Sequence, residues 1–136
     1  MAEETKAASM VGRALRRRCP RCGAPKVFRK WFDLVESCPA CGLQFEREQG
    51  YWVGAVAFNT ALGIVAFLGT FGLILALTWP EVPWSMVSPL TIAVSVLAVV
   101  FGYPTIKLLW VAYDLSVHPL EHHEIENARA RIDGLP

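Results

Sequence analysis

Followed in order, the apolar and polar positions divide the chain into two stretches of opposite character. Up to Glu48 the two kinds are closely mixed, whereas no charged side chain occurs from Gln49 to Pro80. The apolar core of that run, 53–77, exceeds the about 20 residues a helix needs to cross about 30 Å of hydrocarbon. It predicts a first spanning helix over 52–78. Trp79-Pro80-Glu81-Val82-Pro83-Trp84 then breaks the pattern with two prolines, a charge and two tryptophans, the composition of a tight turn at a membrane surface. A second apolar run, 87–106, predicts a spanning helix over 86–110. Pro89 falls in its first turn, where a missing N–H costs little. Trp52, Trp79, Trp84, Trp110 and Tyr113 lie at the expected boundaries, where aromatic side chains collect, and Lys107 can extend its amine towards headgroups. The rest of a 136-residue chain is too small to cover both runs on every side, so burial inside a soluble protein is not expected.

The flanking segments carry weaker patterns. Residues 2–9 are polar and Ala-rich and are expected to be disordered. Met10 to Arg18 (MVGRALRRR) interleaves apolar residues with four arginines; it reads equally as a basic amphipathic turn resting on anionic headgroups and as a solubilising arm. From Cys19 to Glu48, the pairs and runs Val27-Phe28 and Trp31 to Val35 read as short β-strands, with Phe45 completing a very small core. A segment of this length needs a metal or disulfides to fold. Beyond the second run, Asp114, His118, Glu121, His122 and His123 form a polar stretch in which Pro119 interrupts any helix. It reads as a solvated linker before a short helix from Glu121 to Ile132, with metal ligation by His118 and His122 as the sharper alternative. The resulting divisions are an arm (1–18), a four-cysteine ribbon (19–48), a two-helix hairpin (49–114) and a tail (115–136).

Charge adds an orientation. Hydrophobic residues make up 54% and charged residues 18% of the chain, against about 25% charged in an average globular domain. Ten of the 13 Lys and Arg residues precede residue 50, and the turn between the two runs has none. The positive-inside rule then places both termini in the cytoplasm, with the 79–84 turn outside, in a multi-pass protein of the plasma membrane. No cleavable leader is expected, because Met1 to Lys6 is polar with no apolar stretch behind it. A reducing cytoplasm favours thiolates held by a metal over disulfides.

The cysteines supply the chemistry. Cys19-Pro-Arg-Cys22-Gly and Cys38-Pro-Ala-Cys41-Gly form C-x2-C-x15-C-x2-C, the spacing of a zinc ribbon. Each tight turn presents two sulfurs on one side, and two such knuckles enclose a tetrahedral ion. Pro20 and Pro39 preset the backbone, and Gly23 and Gly42 tolerate the positive φ that follows. Arg18, Arg21 and Lys26 are near enough in sequence to offset the thiolate charge. Zinc is the expected metal and iron the alternative, since an all-cysteine tetrahedral site suits both. A closed four-sulfur site leaves no position for water or substrate, so its role is structural.

Within the spans Asn59 is the one strongly polar side chain, suited to hydrogen bonding with a neighbouring helix. Ala57-x3-Ala61, Gly72-x3-Ala76 and Ala98-x3-Gly102 permit close packing, within the hairpin or in a homo-oligomer. No ionisable residue sits in mid-span, which argues against an ion pathway. There is no Gly-rich phosphate loop, no Ser/His/Asp set and no carboxylate pair in a plausible pocket. Glu46 and Glu48 flank Arg47 as surface ion pairs. The basic N-terminal region is better matched to lipid headgroups than to nucleic acid.

CPRCG, then CPACGL followed by FEREQGYWVGA and two hydrophobic runs, resembles the bacterial domain-of-unknown-function family 983 over about Arg18 to Tyr113. The resemblance implies a membrane protein with a cytoplasmic cysteine ribbon and no established activity. The expected fold is therefore a small β zinc ribbon followed by an α-helical transmembrane hairpin. The expected function is a non-enzymatic module, anchored in the lipid bilayer, that docks a protein partner. The alternatives are a rubredoxin-like redox or metal-handling protein, and a small transporter or channel subunit acting as an oligomer.

Overall fold

The computed structural model describes residues 2–134, with side chains from Lys6 onwards. Four helices follow in order: α1 (Ala2–Leu15), α2 (Trp52–Thr78), α3 (Trp84–Val117) and α4 (His122–Ile132). The chain forms two compact units. One combines the residues up to Ala55 with those from Pro104 on; the other is Val56–Tyr103.

The Val56–Tyr103 unit is the helical pair. Both α2 and α3 are long and apolar enough to cross a membrane. Within the unit the helices run antiparallel. A methyl group added at Gly63 would meet Val99 at 2.9 Å, and one added at Gly102 would run into Leu62. Gly102 is thus a close-packing position, whereas Gly72 has open space around it and Ala98 is half-buried. Asn59 is buried, and among the described residues its Oδ1 has no hydrogen-bond partner; the same holds for Thr91 Oγ1. Asn59 lines a cleft of about 660 Å³ with Gly63, Phe67, Ser95 and Val99.

The other unit is built around the cysteines. Its core joins Met10 and Ala14 of α1, Cys19, Val27, Cys38, Leu43 and Phe45 of the loop region, and Leu108, Val111, Ala112 and Leu115 of α3. Two expectations are corrected here. Residues 2–9, expected to be disordered, belong to α1. The reason lies just beyond them, where Met10 and Ala14, one turn apart on one helix face, are buried in this core. Second, α3 runs seven residues past the expected end at 110. Residues 108, 111, 112 and 115 repeat at helical spacing, and their burial favours continuing the helix. The cysteine segment, expected as a β ribbon, holds two isolated antiparallel bridges, Phe28 with Leu34 and Ser37 with Gln44, and no longer strand among the described residues.

The tail is also an ordered part of this unit. Glu121 is the N-cap of α4 and forms a reciprocal capping box with Glu124, which satisfies two backbone donors that a helix start otherwise leaves open. Pro119 follows the end of α3, and the turn preceding it still closes, His118 N–H donating to Asp114 O at 2.7 Å.

Candidate metal centre

The two cysteine turns have the same internal bonding. In the first, Gly23 N–H donates to Cys19 O at 2.8 Å and Cys19 N–H to Ala24 O at 3.0 Å. In the second, Gly42 N–H donates to Cys38 O at 2.9 Å and Cys38 N–H to Leu43 O at 2.8 Å. Gly23 and Gly42 adopt φ of +79° and +65°, the left-handed region that a side chain disfavours. Each turn thereby points its two sulfurs the same way.

The four sulfurs converge. Cys19 Sγ lies 3.8 Å from Cys41 Sγ, and Cys22 Sγ lies 3.7 Å from Cys38 Sγ; all four are within 4.8 Å of one another. Sulfurs bound tetrahedrally at about 2.3 Å from one ion stand about 3.8 Å apart. The donor set and its spacing therefore fit a four-thiolate metal site. Among the described residues no other cluster of three or more Cys, His, Asp or Glu ligand atoms forms. Cys19 and Cys38 are buried, Cys41 is half-buried and Cys22 is exposed.

Proton sharing among the thiols is uneven. The hydrogen bond with Cys41, together with burial, holds the Cys19 thiol well above its usual range. The same bond pulls Cys41 down to about 5, and burial raises Cys38. Completing the site releases protons, because each sulfur binds a metal as its thiolate.

Arginines brace both turns from outside. Arg13 of α1 donates to Pro20 O at 3.3 Å and to Arg21 O at 2.8 Å. Arg21 donates to Cys41 O at 3.4 Å, and Arg131 of α4 to Gly42 O at 3.2 Å and to Gln44 Oε1 at 2.6 Å. Sequence proximity picked out Arg18, Arg21 and Lys26 as the compensating cations. Arg21 does reach the knuckles, but Arg18 and Lys26 are exposed, and Arg13 and Arg131 come instead from the two terminal helices. The α4 backbone lies directly on the second knuckle: a methyl group at Gly42 would collide with the carbonyl of Ala128.

Arg47 was the residue most underestimated from sequence. It does not pair with Glu46 or Glu48. Its Nε and Nη2 donate to the two carboxylate oxygens of Glu124 at 2.7 and 2.8 Å, while Nη1 donates to Asp114 Oδ2 at 2.8 Å and to His118 O at 3.0 Å. Tyr51 Oη also donates to Asp114 Oδ2, at 3.0 Å. The hydrogen bonds from Arg47 hold the Glu124 carboxyl below its usual range. Burial, then Asp114, raises the Tyr51 hydroxyl. Glu46, Glu48 and Gln49 instead line an open cavity of about 580 Å³ with Trp52 and Lys107.

The tail histidines do not assemble a ligand set. His118 Nδ1 lies 3.2 Å from Asp114 Oδ1 and His123 Nδ1 lies 3.2 Å from Glu121 Oε2, and His122 is exposed at the start of α4. Of the residues expected at membrane boundaries, Trp52 carries the Lys107 amine 5.0 Å above its ring. Trp110 packs against Gly54 and near Tyr51 and Tyr113, while Trp79 and Trp84 are exposed.

Fold and site together define a protein with a four-cysteine metal-binding cluster and two helices capable of spanning a membrane. The family described as "Protein of unknown function (DUF983)" matches residues 28–114, and the chain belongs to that family. The match takes in Cys38, Cys41, Arg47 and Asp114 but begins after Cys19 and Cys22. Neither the curated proteins nor the solved structures contain a match to this chain.

Proposed function

We propose that this protein is a membrane-anchored zinc-binding module without catalytic activity of its own, which docks a protein partner at the cytoplasmic face of the plasma membrane. The carrying observation is the convergence of four cysteine sulfurs at tetrahedral spacing, a ligand set that fills the coordination sphere of zinc and leaves no position for substrate. When bound, the metal would supply a fixed cross-link between the two cysteine turns. Cys19, Cys22, Cys38 and Cys41 would hold it, and Arg13, Arg21 and Arg131 orient the turns that carry them.

Topology is supported by parity. Residues up to Ala55 and those from Pro104 on form one unit, and two crossings return the chain to the side it left. The basic residues before residue 50 favour the cytoplasm for that side. A cysteine introduced at Ser85 is expected to react with an impermeant maleimide on intact cells, and reaction only after lysis would reverse the assignment. For the metal, elemental analysis of protein in mild detergent should find about one zinc per chain, as a single four-cysteine site requires, and no visible absorption.

A second reading is a rubredoxin-like iron centre, favoured by the exposure of Cys22, which would bring an electron donor close to the metal. About one iron per chain with a visible thiolate charge-transfer band would put that reading first.

A further inference from the structure

The turn between Phe28 and Leu34 contributes its polar and aromatic tip to neither the metal site nor the core. The Phe28–Leu34 bridge and a hydrogen bond from Arg29 N–H to Asp33 O at 2.8 Å close it, leaving Lys30, Trp31 and Phe32 at the apex. Trp31 is 48% and Phe32 43% exposed, and the two rings meet edge to face with centroids 6.4 Å apart. Two large aromatics side by side on a polar turn are an unfavourable surface in water and a favourable one at a lipid interface.

Two further contacts give this tip a charge and a depth. Arg17, just past the end of α1, places its guanidinium 4.5 Å from the centre of the Trp31 ring. Its neighbours Arg16 and Arg18 are exposed, as are Arg29 and Lys30. Segments 16–18 and 28–34 together hold five cations and one acid, Asp33. Lys107 Nζ donates to Phe32 O at 3.2 Å and also sits over the Trp52 ring. Trp52 opens α2, and Lys107 is the first charge after the second apolar run. The tip is therefore tied to the two residues that bound the apolar stretches of both helices.

We propose that Trp31 and Phe32, with Arg16, Arg17, Arg18, Arg29 and Lys30, form an interfacial foot that binds anionic phospholipid headgroups. The inference rests on the reading that α2 and α3 span a bilayer. The rings occupy the headgroup boundary, where Trp is enriched, while the cations contact lipid phosphates of the negatively charged cytoplasmic leaflet. Stacking of Arg17 on Trp31 keeps a guanidinium at the depth of the ring.

The full-length protein, metal-loaded, is incorporated into nanodiscs containing brominated phosphatidylglycerol or, at the same mole fraction, brominated phosphatidylcholine. The Trp31 signal is the fluorescence difference between wild type and Trp31→Phe. It should be quenched at least about twofold more by the anionic lipid, since surface cations concentrate that lipid around the foot. The preference should vanish in the double variant Arg29→Glu/Lys30→Glu with metal content unchanged. Equal quenching by both lipids, or none by either, in incorporated and metal-loaded protein would overturn the proposal while leaving the membrane reading intact. A Trp31 signal that ignores lipid charge and changes only on adding single-stranded oligonucleotide would reassign the patch to nucleic acid. Failure to incorporate into nanodiscs at all would remove the spanning reading, and the foot with it.

Discussion

Replacing Arg47 with Met tests whether one guanidinium fastens the tail helix to the cysteine unit. Methionine keeps much of the side-chain volume and removes four hydrogen bonds, two to Glu124, one to Asp114 and one to His118 O. The side chains of Arg47, Asp114 and Glu124 are 15%, 13% and 21% exposed. The cluster thus lies between an exposed pair, worth about 0–1 kcal/mol, and a buried one, whose disruption costs about 3–5 kcal/mol. Two carboxylates would be left facing each other without a cation. Tyr51 Oη still donates to Asp114, which offsets part of the loss. An intermediate cost of about 2–3 kcal/mol follows from those limits, which corresponds to an increase of about 30- to 150-fold in the population with α4 undocked. Hydrogen exchange of the α4 amides in detergent reads that population directly. Amides in 124–132 should lose protection by about that factor while those in the middle of α2 stay unchanged. Arg47→Lys, which keeps the charge but not the planar fork, should fall in between. Unchanged α4 protection in Arg47→Met would refute the reasoning, and the packing of Ala128 on Gly42 would have to hold the helix alone.

The remaining predictions address the knuckles and the acid limit. Gly42→Ala combines a positive φ with a collision against Ala128 and should cost about 3 kcal/mol or more, whereas Gly50→Ala, at φ +79° in open space, should cost only about 1–2 kcal/mol. Rates of zinc transfer to a colorimetric chelator compare the two. Cys38→Ser removes a buried ligand and should abolish metal retention and protease resistance of the cysteine unit while leaving the hairpin membrane-inserted; a variant that kept metal and resistance would exclude the four-sulfur site. The Glu124 carboxyl is held below its unfolded value by Arg47, so its contribution is complete above about pH 4.5 and is lost as pH falls through the folded value. Protection of α4 should drop in that acid window, and the part due to Glu124 should disappear in Glu124→Gln.

The two long apolar helices were legible because every residue of an uncharged run carries the same message, and the knuckles because a five-residue motif occurs twice. The features that were hidden depend on contacts distant in sequence. Arg47 sits between two glutamates and looks locally paired, yet its partners lie 67 and 77 residues away. The end of α3 was masked by Lys107, Trp110 and Tyr113, which mimic a membrane exit, although Leu108, Val111, Ala112 and Leu115 already carry a helical stripe. That stripe runs across the boundary drawn at 110 and is the signal for a longer helix. In α1 the polar composition suggested disorder, while its alanines favour helix and Met10 and Ala14 supply a contact face. No rule of local sequence indicates that α4 must lie against Gly42, but the Glu121–Glu124 capping box marks its start.

The order of the parts along the chain constrains how the cysteine unit is completed. Cys19 to Cys41 precede α2, so both knuckles are available before either apolar helix has been made. Four of the core residues around them, Leu108, Val111, Ala112 and Leu115, follow the second apolar run, as do Asp114, Glu124 and Arg131. Metal binding can join the two knuckles early, because that step needs only residues 19–41. The core can close only after α3 has brought its last two turns back to the cysteine turns. Closure of this unit therefore needs both apolar helices to be complete. A chain ending before α3 would leave Arg47 without Asp114 and Glu124, the second knuckle without Arg131, and Val27 and Phe45 without the α3 residues of their core.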